Sequence, residues 1–189
     1  MPAPAEPLRI LLTGPPGCGK TTVILRTLGL LSQPAAGFYT EEVRSRGVGA
    51  RLGFDVVALD GRRGPLARVG REGARVGKYA VDLQMFEDVG VRALEAGLRE
   101  PHQLLVLDEL GKMEFLSAAF VHLLEQVFRS PNPVLGTILY RQHPLGDRLR
   151  QAPGAELIQV TTRNRDALPM ELARRFSHHA ATARPPLHR

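Results

Sequence analysis

Gly14-Pro15-Pro16-Gly17-Cys18-Gly19-Lys20-Thr21 meets the pattern G-x-x-x-x-G-K-[ST] at every required position, and its reading decides the fold. The glycines let a loop wrap so that successive main-chain N–H groups converge on phosphate oxygens. A helix that follows such a loop turns its positive end on the same anion. In this reading Lys20 reaches the β- and γ-phosphates, Thr21 offers a hydroxyl to Mg²⁺, and Thr22 meets the α-phosphate. A tight glycine-proline turn that binds nothing is the plain alternative, and the context weighs against it. Arg9-Ile10-Leu11-Leu12-Thr13 is a short apolar run suited to a buried parallel strand, and Thr22 to Leu31 has apolar residues at helical spacing. Cys18 fills a free position of the pattern and is read as packing.

Leu104-Leu105-Val106-Leu107-Asp108-Glu109 is the second informative stretch, four apolar residues ending in two carboxylates, as in a Walker B strand. With this strand beside the one that feeds the loop, Asp108 emerges near Mg²⁺ and orients it together with Thr21. Glu109 is then the residue to position or deprotonate an attacking water. Transfer of phosphate to water asks little covalent chemistry of a protein, so charge stabilisation and alignment of that water dominate. Asp108-Glu109-Leu110-Gly111 also fits D-x-x-G, a GTPase switch motif. The base-reading N-K-x-D is missing, since Asn164-Arg165-Asp166 has the wrong spacing and no lysine.

Between these stretches the pattern changes. Phe38 to Val43 and Arg51 to Val57 read as an antiparallel hairpin around the turn-like Ser45-Arg46-Gly47-Val48-Gly49, with a third short strand after Asp60-Gly61. Residues 64–77, rich in glycine and arginine, read as an irregular, mobile loop. Asp82 opens a helix. The second half alternates strand and helix: Ser117 to Phe128 is helical, Val134 to Leu139 and Leu157 to Val160 are strands, and a helix from about Asp166 to Phe176 closes the domain. Residues 1–176 form one domain in this reading, and 177–189 a flexible tail.

Composition narrows the function classes. The chain has 189 residues, 43% hydrophobic and 23% charged, which suits one folded domain. It has no apolar run of transmembrane length, and its first seven residues lack the features of a secretory signal. One cysteine excludes an internal disulfide framework and fits a reducing compartment, so the cytoplasm is the expected location. The net charge of +6 does not imply nucleic acid: the arginines are scattered, and aromatics are 5%. Nucleoside triphosphates are the expected partners, with no membrane, and a monomer the expected state.

Several blocks in order resemble one known family, the cancer-related nucleoside-triphosphatases, small P-loop enzymes of vertebrates and thermophilic microbes. They are Leu12 to Gly17 with Lys20-Thr21-Thr22, Gly37-Phe38-Tyr39-Thr40-Glu41-Glu42-Val43-Arg44, Gly53-Phe54-Asp55-Val56-Val57, Asp108-Glu109 with Gly111-Lys112-Met113-Glu114, and the shorter blocks Arg63 to Leu66, Val76-Gly77 with Tyr79 to Leu83, and Leu135 to Ile138. The resemblance implies Mg²⁺-dependent hydrolysis of several NTPs (ATP, GTP, CTP, UTP) to NDP and phosphate, with loose base preference. It places nucleotide binding on Gly14 to Thr21 and on Leu104, Leu105, Val106, Leu107, Asp108, Glu109, Leu110 and Gly111, with Glu109 catalytic. Cys18 stands where the family has a small apolar residue, and the stretch around Arg71 to Arg75 is shorter than in vertebrate members.

Other residues carry open alternatives. Lys112 either stabilises charge at the γ-phosphate or is a solvated lysine; Glu114 caps the next helix or orients Lys112. Glu41 and Glu42 read from composition as exposed strand residues. Arg44 is the first candidate for an internal arginine finger, with Arg63, Arg68, Arg141 and Arg148 behind it. Asn164 and Arg165 are candidates for base contact, and His178-His179 lacks companion zinc ligands. The expected fold is an α/β P-loop NTPase three-layer sandwich, a mostly parallel sheet with an inserted antiparallel hairpin. A nucleotide or small-molecule kinase is the competing activity, and a nucleotide-dependent module that touches RNA the competing class.

Overall fold

The computed structural model describes residues 6–47 and 49–183; the first five residues, Val48 of the hairpin turn and residues 184–189 of the expected tail lie outside the described residues. One nine-stranded sheet organises the chain, in the order β5-β6-β4-β3-β2-β7-β8-β1-β9. Strand β1 is Arg9–Thr13, β2 Ala35–Arg44, β3 Arg51–Ala58, β4 Arg63–Val69, β5 Arg75–Val76, β6 Tyr79–Val81, β7 Leu104–Leu110, β8 Val134–Ile138 and β9 Ala155–Gln159. From β2 to β9 the pairings are parallel, and from β2 to β5 antiparallel. Strand β2 belongs to both halves, so the hairpin extends the parallel sheet edge to edge.

Helices cover both faces of the parallel half. Alternation along β7 sends Leu104 and Val106 to one face and Leu105 and Leu107 to the other, and β1 divides Ile10 and Leu12 from Leu11 in the same way. That is why these strands read as continuous apolar runs. On the first face lie α1 (Lys20–Leu30) and α6 (Leu168–Ala183), which supply Val23, Ile24, Leu172 and Phe176. On the second lie α2 (Leu83–Phe86), a π-helical turn (Glu87–Val91), α3 (Arg92–Leu98) and α4 (Ala118–Arg129). There Phe38, Phe86 and Phe120, all fully buried, meet edge to face with centroids 5.1–5.9 Å apart. Asp82 starts α2 as expected, its carboxylate accepting from the Met85 N–H at 3.0 Å.

Four expectations change. The third strand expected after Asp60-Gly61 is β4, and it reaches further than expected into the stretch read as an irregular loop: it runs to Val69 and pairs with β3 and β6, and the register shift opposite Asp55 accommodates Pro65, which cannot donate to the ladder. Leu66 and Ala67 are buried there, so the arginine and glycine content concealed how far this strand extends. A short helix, α5 (Pro144–Arg150), follows β8 where none was read. The last helix runs past Phe176 to Ala183, so residues 177–183 are helical rather than tail. Finally, β7 does not lie beside β1, because β8 sits between them and pairs with both.

Candidate functional site

The phosphate-type loop leaves the carboxyl end of β1 and enters α1 at Lys20. Gly19 at the junction has φ 105°, a left-handed conformation open to glycine and costly for other residues. Gly14 lies against the main chain that follows β9: a Cβ there would fall 2.8 Å from the Val160 carbonyl oxygen and 2.9 Å from Cys18 Sγ. Cys18 is thus part of the packing beneath the loop. No side chain caps α1 and its first turn holds no acid, which leaves the main-chain N–H groups of the helix start to an anion. Lys20 Nζ donates to the carbonyl oxygens of Gly14 and Pro15 at 3.1 and 3.3 Å, centring its charge on the loop.

The acid pair reaches this loop across β8. Thr21 Oγ1 donates to Asp108 Oδ2 at 2.7 Å, and Thr137 Oγ1 on β8 donates to Asp108 Oδ1 at 2.6 Å. Gly136, opposite Leu107, lets β8 lie close to β7. The intervening strand therefore holds the carboxylate instead of separating it from the loop. Asp108 is 1% exposed. Burial raises its pKa, opposed by the hydrogen bonds of Thr137 and Thr21, by the Thr40 main chain and by the Lys20 charge. Glu109 is half-buried and joined to Asp108 by a cis peptide. Burial, then repulsion from Asp108, raises its pKa, while Lys20 and Arg51 draw it down.

The other expected site residues divide. Leu104, Leu105, Val106, Leu107 and Leu110 are fully buried in the two cores, so they carry the acids to the sheet edge and do not face a ligand. Thr22 and Lys112 are exposed. Glu114 does not cap the next helix: Ser117 does, accepting from the Phe120 N–H, and Glu114 is buried. Among the finger candidates, Arg44 holds Glu42 and the Gly49 carbonyl at the hairpin end, while Arg63 and Arg68 share Asp55. Arg51, not singled out from the sequence, is the arginine whose charge reaches Glu109; it also pairs with Glu42 and lies 5.5 Å over the Phe54 ring. Asn164 closes its own loop: its Oδ1 accepts from the Thr161 N–H and its Nδ2 donates to the Gln159 carbonyl. Arg165 instead stands 3.6 Å from the Cβ position of Gly19 and lines a pocket of about 150 Å³ with Gly19, Thr22, Val23, Arg26 and Asp166.

Thr137 is the residue that sequence reasoning missed. Its block Leu135 to Ile138 stood out as a family block, but only the strand order joins it to Asp108. The donor set is a hydroxyl (Thr21) and a carboxylate (Asp108), hard oxygen donors of the kind that suit Mg²⁺. No helix of the described residues is long and apolar enough to cross a membrane.

Residues 9–173 match the family model described as NTPase. A nucleoside-triphosphatase THEP1 of Thermotoga petrophila is 45% identical over 166 residues, covering 87% of this chain and 90% of the relative. The human cancer-related nucleoside-triphosphatase is 41% identical, covering 84% and 91%. Among solved structures, THEP1 of Aquifex aeolicus superposes with a TM-score of 0.80 at 36% identity, over 87% of this chain and 96% of that one. The solution structure of a human cancer-related nucleoside triphosphatase gives 0.76 at 37%, over 96% and 100%.

Proposed function

Because the chain belongs to the NTPase family, we infer that it is a nucleoside-triphosphatase, releasing the terminal phosphate of an NTP. The observation that carries the arrangement is the 2.7 Å hydrogen bond from Thr21 to Asp108, which joins the loop after β1 to the acids at the end of β7. In this reading the main-chain N–H groups of residues 14–21 and the Lys20 ammonium hold the phosphates. Thr21 and Asp108 would hold Mg²⁺, which would supply positive charge against the phosphates. Glu109 orients the attacking water and takes its proton. Its raised pKa favours proton acceptance, and Lys20 and Arg51 oppose complete loss of its charge. Lys112, exposed on the following turn, is the candidate to meet the γ-phosphate. Arg165 beside Gly19 offers an aliphatic stem and a cation to the nucleotide.

The test is steady-state phosphate release across ATP, GTP, CTP and UTP, with and without candidate acceptors. Wild type is expected to turn over each NTP alone. Lys20→Ala loses nucleotide binding and Glu109→Ala keeps binding while losing most turnover. A rate that appears only with an acceptor would identify a kinase and refute the hydrolase; unchanged turnover in Glu109→Ala would remove that residue from its role.

A further inference from the structure

Strand β9 flanks β1 on the side opposite β8 and the acids, and the turn that leaves it faces the start of α1. Gly19, Thr22, Val23 and Arg26 recur at helical spacing, so they share one stripe at that start. The turn against this stripe is fixed from within. The Thr161 N–H donates to Asn164 Oδ1 at 2.8 Å, Asn164 Nδ2 donates to the Gln159 carbonyl at 2.9 Å, and the Arg165 N–H donates to the Thr161 carbonyl at 3.0 Å. It thereby sets Arg165 Cδ 3.6 Å from the Cβ position of Gly19 and Asp166 Oδ1 3.6 Å from Arg26 Nη1. The pocket between turn and helix measures about 150 Å³. That is half the roughly 300 Å³ at which sites for drug-sized ligands begin, room for one planar ring system rather than a whole nucleotide. It opens on Gly19 of the loop and Thr22 of the next turn, within reach of a triphosphate held by residues 14–21.

Resting on the reading of residues 14–21 as the phosphate grip, we propose that this pocket is the nucleobase subsite and that it recognises what all four bases share: the ring stacks on the Arg165 side chain while its polar edge meets Arg26 and Asp166. A planar guanidinium on an aliphatic stem stacks on any base, because every base presents a π-face. The edge is equally general. Adenine sets its N6 donor beside the N1 acceptor, guanine N1–H beside O6, cytosine its N4 donor beside N3, and uracil N3–H beside O4. Arg26 supplies only donors and Asp166 only acceptors, so together they complement one such couple. Their side chains are 61% and 76% exposed. An ion pair of that kind contributes little and opens at small cost, and with neither partner held by burial the two meet the couple in either order. Loose base preference then has a structural cause: the site asks for a base, not for a particular one.

The experiment measures equilibrium binding of ATP, GTP, CTP, UTP and inorganic tripolyphosphate, each with Mg²⁺, to wild type, Arg165→Ala, Arg26→Ala and Asp166→Ala. Arg165→Ala is expected to weaken all four NTPs by about 5- to 150-fold, the range for losing a stacking partner, and to leave tripolyphosphate, which has no base, within about twofold of wild type. Arg26→Ala and Asp166→Ala each weaken every NTP by about 2- to 10-fold, as for one net hydrogen bond. Tripolyphosphate affinity that falls along with the NTPs in Arg165→Ala would place that arginine on the phosphates and overturn the proposal. Unchanged NTP affinity in Arg165→Ala, or in both edge variants, would overturn it too, and so would a loss confined to a single base. Wild type that binds all four NTPs in this pattern yet releases no phosphate would defeat the hydrolase reading while supporting the subsite; wild type that binds neither NTP nor tripolyphosphate would overturn both.

Discussion

Replacing Thr137 with valine tests whether the strand between the loop and the acids is part of the site. Thr137 is fully buried and its hydroxyl donates at 2.6 Å to Asp108 Oδ1, itself on a residue 1% exposed. Valine keeps the shape and the strand preference but leaves a buried carboxylate oxygen without its donor. Hydrogen bonds to charged groups contribute about 1.5–3 kcal/mol. For a domain of this size about 1 kcal/mol shifts Tm by roughly 2–4 °C, so a drop of roughly 3–12 °C is expected. The second consequence is chemical. Burial already raises the Asp108 pKa, and the Thr137 hydrogen bond leads the effects opposing that rise. Without it the Asp108 pKa rises further and its oxygen loses a hydrogen bond that holds it in place, so the Mg²⁺ needed for half-maximal phosphate release rises by about 10- to 100-fold. Thermal unfolding and Mg²⁺ titration of turnover measure both, and Thr137→Ser, which keeps the hydroxyl, should retain the wild-type Mg²⁺ dependence. A valine variant that melts within about 1 °C of wild type, with unchanged Mg²⁺ half-saturation, would refute the reasoning.

Phe38→Ala empties the centre of the aromatic cluster with Phe86 and Phe120. It should cost about 3–5 kcal/mol, read by urea unfolding, and a loss under about 1 kcal/mol would contradict the packing. Gly111→Ala places a methyl 3.0–3.4 Å from both acid side chains; kcat should fall at least about tenfold while ATP still binds, and wild-type kcat would show that the two side chains move freely. The Glu114 pKa is raised in the folded protein, so its contribution to stability is complete below the ordinary carboxylate pKa and is lost as pH rises toward the folded value. Denaturation of nucleotide-free wild type and Glu114→Gln should therefore diverge above about pH 4.5, glutamine becoming the more stable by up to about 1.4 kcal/mol per pH unit; parallel curves would contradict the shift. Asp60 and Glu156, held low by Arg62 and Arg175, act at the other end, their contribution being lost as pH falls through their folded values.

Local signals made much of this protein legible in advance. The loop from Gly14 to Thr21 announces itself because close main-chain approach to phosphate restricts residue types over a few consecutive positions. Asp82 marks a helix start because a cap is satisfied within three residues, and the runs at β1 and β7 read as buried strands because both their faces are apolar. Pairing between distant segments left weaker traces. Strand β4 was legible only as a short strand after Asp60-Gly61, its full extent hidden behind arginines and glycines, since its pairing depends on β3 and β6 rather than on its own composition. Asn164, readable as a base contact, spends its side chain closing its own loop.

The sequence by itself determined that a phosphate-type loop, a strand-end acid pair and alternating strands and helices occur in one chain, because each is built from neighbours along the backbone. Only the tertiary structure decided that β8 stands between β1 and β7, that Thr137 completes the hold on Asp108, and that Glu114 is buried. Those outcomes depend on which faces bury against one another across distant segments, 87 residues apart for Thr21 and Asp108 and 125 for Thr13 and Ile138. A lone carboxylate in a string of letters carries no mark of its burial; its environment, and with it its protonation and its partner, exists only once the sheet has closed around it.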